Sequence, residues 1–498
     1  MTRVCLLILT AASAIAQPGI GQNGVVNSAS QMPPTLPGGA LAPGARFSIY
    51  GVRLGSSAAS TQISAGPMQI KATSITPTRI EATLPANAAP GTLPLVVTVN
   101  GMKSKPFPIH IVPSNPGIYS KNGLGWGPAV ASTVRPGQRV AIATTGLGNA
   151  TQLTVVIGGR SVPVARTAGA DELTFPIPAS VPEGCQVPVY IQAAPHRASN
   201  VVTLAISRSG MPCNAGPLAI LSKNSVGVAI LARSRMLGRN ATSDAIDDEA
   251  TAVFASRTGQ PSLSPMLLLP PPGTCTAYTS SFQATTALPN SVSSALAAEL
   301  EARGLEAGSV LKLRSKSGER TVSRVRGSPG YFRSKLGSGG ASAGPRTLPL
   351  FFEPGEIEIE AVGGEQLGPF RARMKSPPPF EWTNRAETAV IDRSRPLTLK
   401  WRGMSNDRLA LIFATNTGQL STAIGTCLCT VRASAGRFTI PAELLANIPE
   451  SVEMPGIPYD QLFLVSLPET ALPGFEASGI DAAALLNVYS VGRIVQYK

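Results

Sequence analysis

The stretch LAPGARFSIYGVRLG, Leu41–Gly55, is rewritten 93 residues later as VRPGQRVAIATTGLG, Val134–Gly148. In both copies a Pro-Gly pair precedes a short run in which apolar and polar residues alternate. Proline presets φ and glycine tolerates positive φ, so the pair reads as a turn. The alternation after it reads as a strand with one buried face. The correspondence continues: Pro43-Gly44 aligns with Pro136-Gly137, and Gly91 aligns with Gly184. Between these marks, ATLPANAAPGTLPLVVTVNG and FPIPASVPEGCQVPVYIQA each read as strand, Pro-rich bend closing on Gly, then strand. A unit of about 90 residues with about seven short strands fits an immunoglobulin-like sandwich. The repeat therefore predicts tandem modules over 24–113 and 132–213.

Composition agrees with an all-β chain. There are 49 Gly and 45 Pro, only 14% of residues are charged, and many Val/Ile/Thr/Leu runs lie between turn residues. A chain of 498 residues is too long for one core. Beyond the modules the pattern changes, and it predicts a β-rich domain over 218–374 and a C-terminal β-sandwich over 379–498. The proline linker KSPPPFEW, Lys375–Trp382, separates these two. SVSSALAAELEARG, Ser291–Gly304, is the most helix-like segment, with good helix formers and a closing Gly. Leu397, Leu399 and Trp401 alternate with Thr398 and Lys400, which puts Trp401 inside.

The opening residues, MTRVCLLILTAASAIAQPG, carry one cation, an apolar run and small residues at Ala14 and Ala16. This is the pattern of a signal peptide over 1–16, cleaved before Gln17. The run is too short to span a membrane, and no later stretch is long enough. The expected location is secreted or cell-surface. Five cysteines remain after the leader: Cys185, Cys213, Cys275, Cys427 and Cys429. In an oxidising compartment disulfides are expected, and an odd count leaves one thiol over. Cys185 opens one strand and Cys213 follows the next, so a hairpin would join them. Cys427 and Cys429 share one side of a strand and rarely bond each other. One of them, Cys429 in our reading, would pair with Cys275.

VVNSASQMPPTLPGGALAPGARFSIYGVRLG, Val25–Gly55, resembles the signature of an uncharacterised family of secreted bacterial proteins with IPT/TIG-like β-sandwich modules. GCQVPVYIQ, SNVVTLAIS and the flanking Cys185 and Cys213 in the second copy resemble it too. FEWTN, LTLKWRG and CTVRASAGRFTIPAELLANIP toward the C-terminus are similar to wording in the same relatives. The resemblance covers most of residues 24–498 and implies export and β-sandwich structure. It implies no activity and carries no binding residue across. The extra cysteine, Cys427, departs from the pattern.

Catalytic chemistry is poorly supplied. The two histidines, His110 in the alternating FPIHIV and His196 in APHRAS, are too few for a triad or a multi-histidine metal site. GASAG around Ser342 has nucleophile-elbow spacing, but its flanks are a glycine-rich loop and a strand. GIGQNG, Gly19–Gly24, has dinucleotide-binding spacing without the preceding strand or following helix. DAIDDE, Asp244–Glu249, gathers four carboxylates but lacks the interleaved glycine of calcium loops, so it reads as a solvated turn. No catalytic residue, cofactor or metal is assigned.

The net charge of +14 favours anionic partners, or serves solubility alone. Eight cations fall between Lys312 and Lys335 against the single Glu319. Lys312, Arg314 and Lys316 share one strand face, and Arg320, Arg324 and Arg326 lie along the return. Such a hairpin, 312–335, would hold an anionic polysaccharide by charge. Its alternative role is a solvated face that blocks edge-to-edge pairing. The strands carrying Lys312–Arg326 interleave no stacking aromatics, which argues against nucleic acid. Of the tryptophans, Trp126 alone, flanked by glycines, reads as exposed. The sequence points first to a secreted, non-enzymatic surface or envelope protein acting in adhesion or as a scaffold. Anionic-polysaccharide binding through 312–335 is the alternative, and the partner is then a polysaccharide, an envelope surface or another surface protein.

Overall fold

The computed structural model describes residues 17–498 except 166–170, 195–196, 211–212, 214–215, 217–219, 221–222, 257–267, 282–303, 417–422, 453–459 and 471. The leader, His196 and all but the last residue of the expected Ser291–Gly304 helix lie outside the described residues.

Both copies of the repeat begin on the same turn. The Ala45 N–H donates to the Ala42 carbonyl at 2.9 Å, and the Gln138 N–H to the Arg135 carbonyl at 3.1 Å. Gly44 and Gly137 have φ of +75° and +83°. A side chain on either would meet nothing within 4 Å, so the dihedral rather than space demands glycine there. The strands that follow, Arg46–Val52 and Arg139–Thr145, pair with Arg79–Thr83 and Glu172–Pro176. In the facing sheets the central strands are Gly91–Val99 and Gly184–Ala194. Thr61–Ala65 and Phe107–Ile111 flank the first; Gln152–Ile157 and Val202–Ile206 flank the second. Inward residues close each sandwich, with Phe47, Ile49, Ile80 and Val97 in one core and Val140, Ile142, Phe175 and Val189 in the other.

The rest of the chain is built on one long sheet. Its order is Thr274–Ser281, Ala423–Arg432, Arg408–Thr415, Gln461–Pro468, Ala482–Ile494, Ser225–Leu237, Ala245–Ser256, Tyr331–Gly340. Four of these strands precede the proline linker and four follow it. The expected division between 218–374 and 379–498 is therefore corrected. The prolines end a strand locally, but ladder partners are chosen by packing at long range, and the sheet closes across the linker. All neighbours are antiparallel except Ser225–Leu237 and Ala482–Ile494, which run parallel. Arg408–Thr415 is buried at every position, as expected for a strand covered on both faces.

One face of the long sheet carries two further layers. At one end lies a four-stranded sheet: Gly318–Ser323, Val310–Ser315, Gly355–Ala361, Phe370–Ser376. Leu311, Leu313, Ile357 and Ile359 pack there on Leu231, Ala252 and Phe254. At the other end lies a three-stranded sheet: Glu381–Trp382, Leu397–Arg402, Arg437–Ile440. Its Leu399, Trp401 and Ile440 share a core with Ile412, Leu464 and Val491 of the long sheet.

The units are joined by buried contacts rather than free linkers. The Asn115 N–H donates to the Gly146 carbonyl of the second module at 2.8 Å. Its amide donates to the Gly38 and Ala40 carbonyls of the first at 2.7 and 2.6 Å. Asn27, from the VVNSAS stretch, donates to the Asn115 carbonyl and accepts from the Ala29 and Ser30 N–H groups. Beyond the second module, Val156, Tyr190, Ala198 and Val201 belong to the same core as Trp401 and Ile412. The Tyr190 hydroxyl donates to Glu443 at 3.2 Å, and Trp126 meets Tyr278 edge-on with ring centroids 6.0 Å apart. Trp126, read as exposed, is thus half-buried and packed against the long sheet.

Candidate functional site

The basic stretch 312–335 does not form one flat hairpin. Lys312 and Arg314 lie on Val310–Ser315 in the four-stranded sheet, and Arg333 and Lys335 on Tyr331–Gly340 in the long sheet. Arg324 and Arg326 follow the return strand, which ends at Ser323. Register then supplies what linear sequence could not show. Lys312 and Arg314 sit opposite Glu360 and Glu358, which in turn sit opposite Arg371 and Arg373. Arg314 pairs with Glu319 at 3.0 Å and Glu360 at 2.9 Å. Arg371 reaches Glu360 at 3.2 Å, and Arg373 reaches Glu358 at 2.9 Å. The outer face is a lattice of alternating sign, and the Arg371 hydrogen bond holds the Glu360 carboxyl below its ordinary range. Arg324 pairs with Glu306, Arg333 with Glu249 at 2.8 Å and Lys335 with Asp247 at 2.7 Å. Arg320 lies 5.5 Å from the Phe351 ring centre and donates to two carbonyls. Among the described residues, Lys312, Lys316 and Arg326 are the members of the stretch without a carboxylate or aromatic partner.

DAIDDE is corrected from a turn to a strand end, because Ala245–Ser256 begins within it. Alternation sends its carboxylates to both faces, and each meets its own partners. Asp248, fully buried, accepts from Arg233 at 2.7 Å and from the Phe351 and Phe352 N–H groups at 2.6 and 2.9 Å. Asp247 takes Lys335, Ser338 and Ser342; these hold its carboxyl below the ordinary value against the opposing effect of burial. Ser342 of GASAG is therefore hydrogen-bonded to a carboxylate at 3.2 Å, beyond a strand and with no helix after it. GIGQNG is itself strand, within Gly19–Asn27. His110 faces outward and shares a hydrogen bond with Thr92 at 2.9 Å.

Both expected disulfides are present, Cys185–Cys213 and Cys275–Cys429. The second crosses directly opposed positions of neighbouring strands in the long sheet. Cys427 is free and buried on the same face, and the three sulfurs lie within 4.8 Å of one another. Two are consumed in the bridge, so one thiol remains, too few for a thiolate metal site. Burial pushes the Cys427 thiol up to about 12.

A cleft of about 630 Å³ that the sequence reading missed opens where the three-stranded sheet meets the long one. Ser225–Leu237 contributes Arg235, the turn Arg385–Thr388 contributes Arg385, and Glu381 and Arg402 come from paired positions. Phe380 and Trp382 form an apolar wall. Asp244, 7% exposed, sits between Arg235 and Arg385 and binds each at 2.7 Å. Arg493, opposite Leu237 on the parallel strand, donates to the Arg385 and Ala386 carbonyls at 3.1 and 3.2 Å. Arg385 Nη1 and Arg493 Nε are buried without a hydrogen-bond partner. Burial lowers the Arg493 pKa, and Arg385 beside it lowers it further. Arg402 and Glu381 pair at 2.6 Å on the exposed rim. These arginines are scattered over 235–493, and only the crossing of the linker by the sheet brings them together, so no local signal marked them.

Comparison with known proteins bears on the first module. Residues 37–111 match the family model of the IPT/TIG domain. No curated protein matches the chain. Among solved structures, SGBP-B of a Bacteroides ovatus mixed-linkage glucan utilization locus, bound to a heptasaccharide, shares 16% identity at a TM-score of 0.22. The match covers 34% of this chain and 45% of that one, so the chain spans less than half of that relative's length. Gamma-CGTase from alkalophilic Bacillus clarkii shares 14% identity at 0.17, over 39% of this chain and 28% of that one. SGBP-B of a Bacteroides uniformis xyloglucan utilization locus shares 13% at 0.17, over 64% of this chain and 86% of that one. Scores this low fall below what a shared overall arrangement gives. The matched segment coincides with the sandwich that opens at Pro43-Gly44, and the first module is an IPT/TIG domain with an immunoglobulin-like fold.

Proposed function

We propose that this chain is an exported, non-enzymatic scaffold of the cell surface or envelope that acts in adhesion. The observation that carries the reading is the junction at Asn115. One buried side chain and its own N–H tie both modules, so spacing is fixed by hydrogen bonds rather than left to a linker. The leader-like 1–16 segment and two disulfides support export, since such bridges persist in oxidising compartments. No helix among the described residues is long and apolar enough to cross a membrane. The anionic-polysaccharide alternative through 312–335 has Lys312, Lys316 and Arg326 in its favour, and the paired state of Arg314, Arg324, Arg333 and Lys335 against it. The test is attachment of beads coated with residues 17–498 to envelopes of the producing cells, with albumin-coated beads as control. The expected result is attachment well above control that survives high salt. Equal attachment of both bead types overturns the reading.

A further inference from the structure

We propose that the arginine cleft between the three-stranded and long sheets binds a small organic oxyanion, the carboxylate of an acidic sugar. Charge balance makes the case. Arg235 and Arg385 line the cleft and Arg493 lies behind them, and among the described residues Asp244 is the single carboxylate paired with the three. Arg402 and Glu381 at the rim cancel each other. The inner group thus keeps an excess of positive charge at a partly covered position, where Asp244 is 7%, Arg385 17% and Arg235 35% exposed. Burying like charges costs free energy unless a counter-charge is bound. Arg385 Nη1 and Arg493 Nε lack a partner and are covered, so they add to the cost of the uncompensated charge, while a ligand in the cleft would meet the accessible parts of Arg235 and Arg385.

The shape of the site narrows the ligand. Planar guanidinium groups match carboxylate oxygens two at a time. A cleft of about 630 Å³ admits a ring-sized molecule rather than a bare ion. Phe380 and Trp382 offer an apolar wall to the ring, while the polar rim of Arg402 and Glu381 suits hydroxyl groups. Three arginines against Asp244 leave two positive charges, so charge alone does not separate a carboxylate from phosphate; the ring-sized cleft and its apolar wall are what favour the sugar acid. The same carboxylate occurs on a free sugar acid and on the end of an acidic glycan.

Calorimetric titration of residues 17–498 with glucuronate, glucose, inorganic phosphate and a galacturonate oligomer tests the assignment. Glucuronate is expected to bind and glucose not to, and Arg385→Gln to weaken glucuronate at least about tenfold through loss of a charged pair. Arg402→Gln, at an exposed position where folding is not at stake, is expected to weaken it several-fold. An oligomer binding more than about tenfold tighter than glucuronate would locate the ligand at a glycan end, and equal affinities would favour the free acid. Equal binding of glucose and glucuronate, binding of phosphate alone, or wild-type affinity in the Arg402 variant would each overturn it.

Discussion

Cys427 shows how much a single residue's surroundings decide. It is two positions from the disulfide cysteine Cys429 on the same strand, yet burial pushes its thiol up to about 12, so at pH 8 the reactive thiolate is scarce as well as shielded. Iodoacetamide at pH 8 is therefore expected to leave the folded protein unlabelled. It should add one equivalent once denaturant exposes the chain, read by intact mass; labelling of the folded state would contradict the burial. The odd cysteine was legible as odd, and the resemblance to secreted relatives singled out Cys427 as the extra one. The Pro43-Gly44 turn was legible as well, because its demand is a local dihedral written in two letters. The opposite holds for Asn27 and Asn115. Their work is to satisfy backbone groups about 75 to 90 residues away, and no spacing rule reports that.

At the scale of elements, strands could be read from alternation but their partners could not. GEIEIEA, 355–361, and FRARM, 370–374, alternate apolar with charged residues as strands do, and so does Val310–Ser315 before them. That Glu358 and Glu360 lie between two rows of cations follows only from register. A charge sum along the chain therefore overstated the field of the basic face. Glu360 is held below its ordinary value of 4.5 by Arg371 and Arg314, so its contribution to stability is present above that value and lost as pH falls through the folded pKa. Melting temperature is expected to stay level from neutral pH down to about 5 and then to fall. Arg371→Gln should reduce the acid-dependent part of that fall while leaving stability at pH 7 little changed, since exposed pairs are individually weak. A pH profile identical in the variant and the parent would remove the lattice from the account.

For the whole molecule, the tandem modules were legible because one sentence is written twice, whereas the division of the remainder at its prolines was not. The rigid junctions give a direct expectation in solution. Small-angle scattering of residues 17–498 should report one body, and Asn115→Ala should broaden the distance distribution as the first module gains freedom. It should also cost about 2 kcal/mol, because two buried carbonyls lose their donor. Scattering from the parent that already requires an ensemble of module orientations would refute the fixed spacing.

The parallel pairing of Ser225–Leu237 with Ala482–Ile494 has a further consequence, which concerns timing. Each module completes itself from strands that leave the ribosome or a secretion channel within one short interval. The long sheet does not, because one of its central ladders joins Val226 to Ala482 and every strand order across it depends on that seam. Pairings so distant in sequence form late. Until the far strand emerges, the apolar rows of Ser225–Leu237 and Ala245–Ser256 have no completed sheet to enter, and they must be shielded from other chains in the meantime. The two sandwiches, whose strands all come from one stretch of chain, are expected to close before the long sheet does.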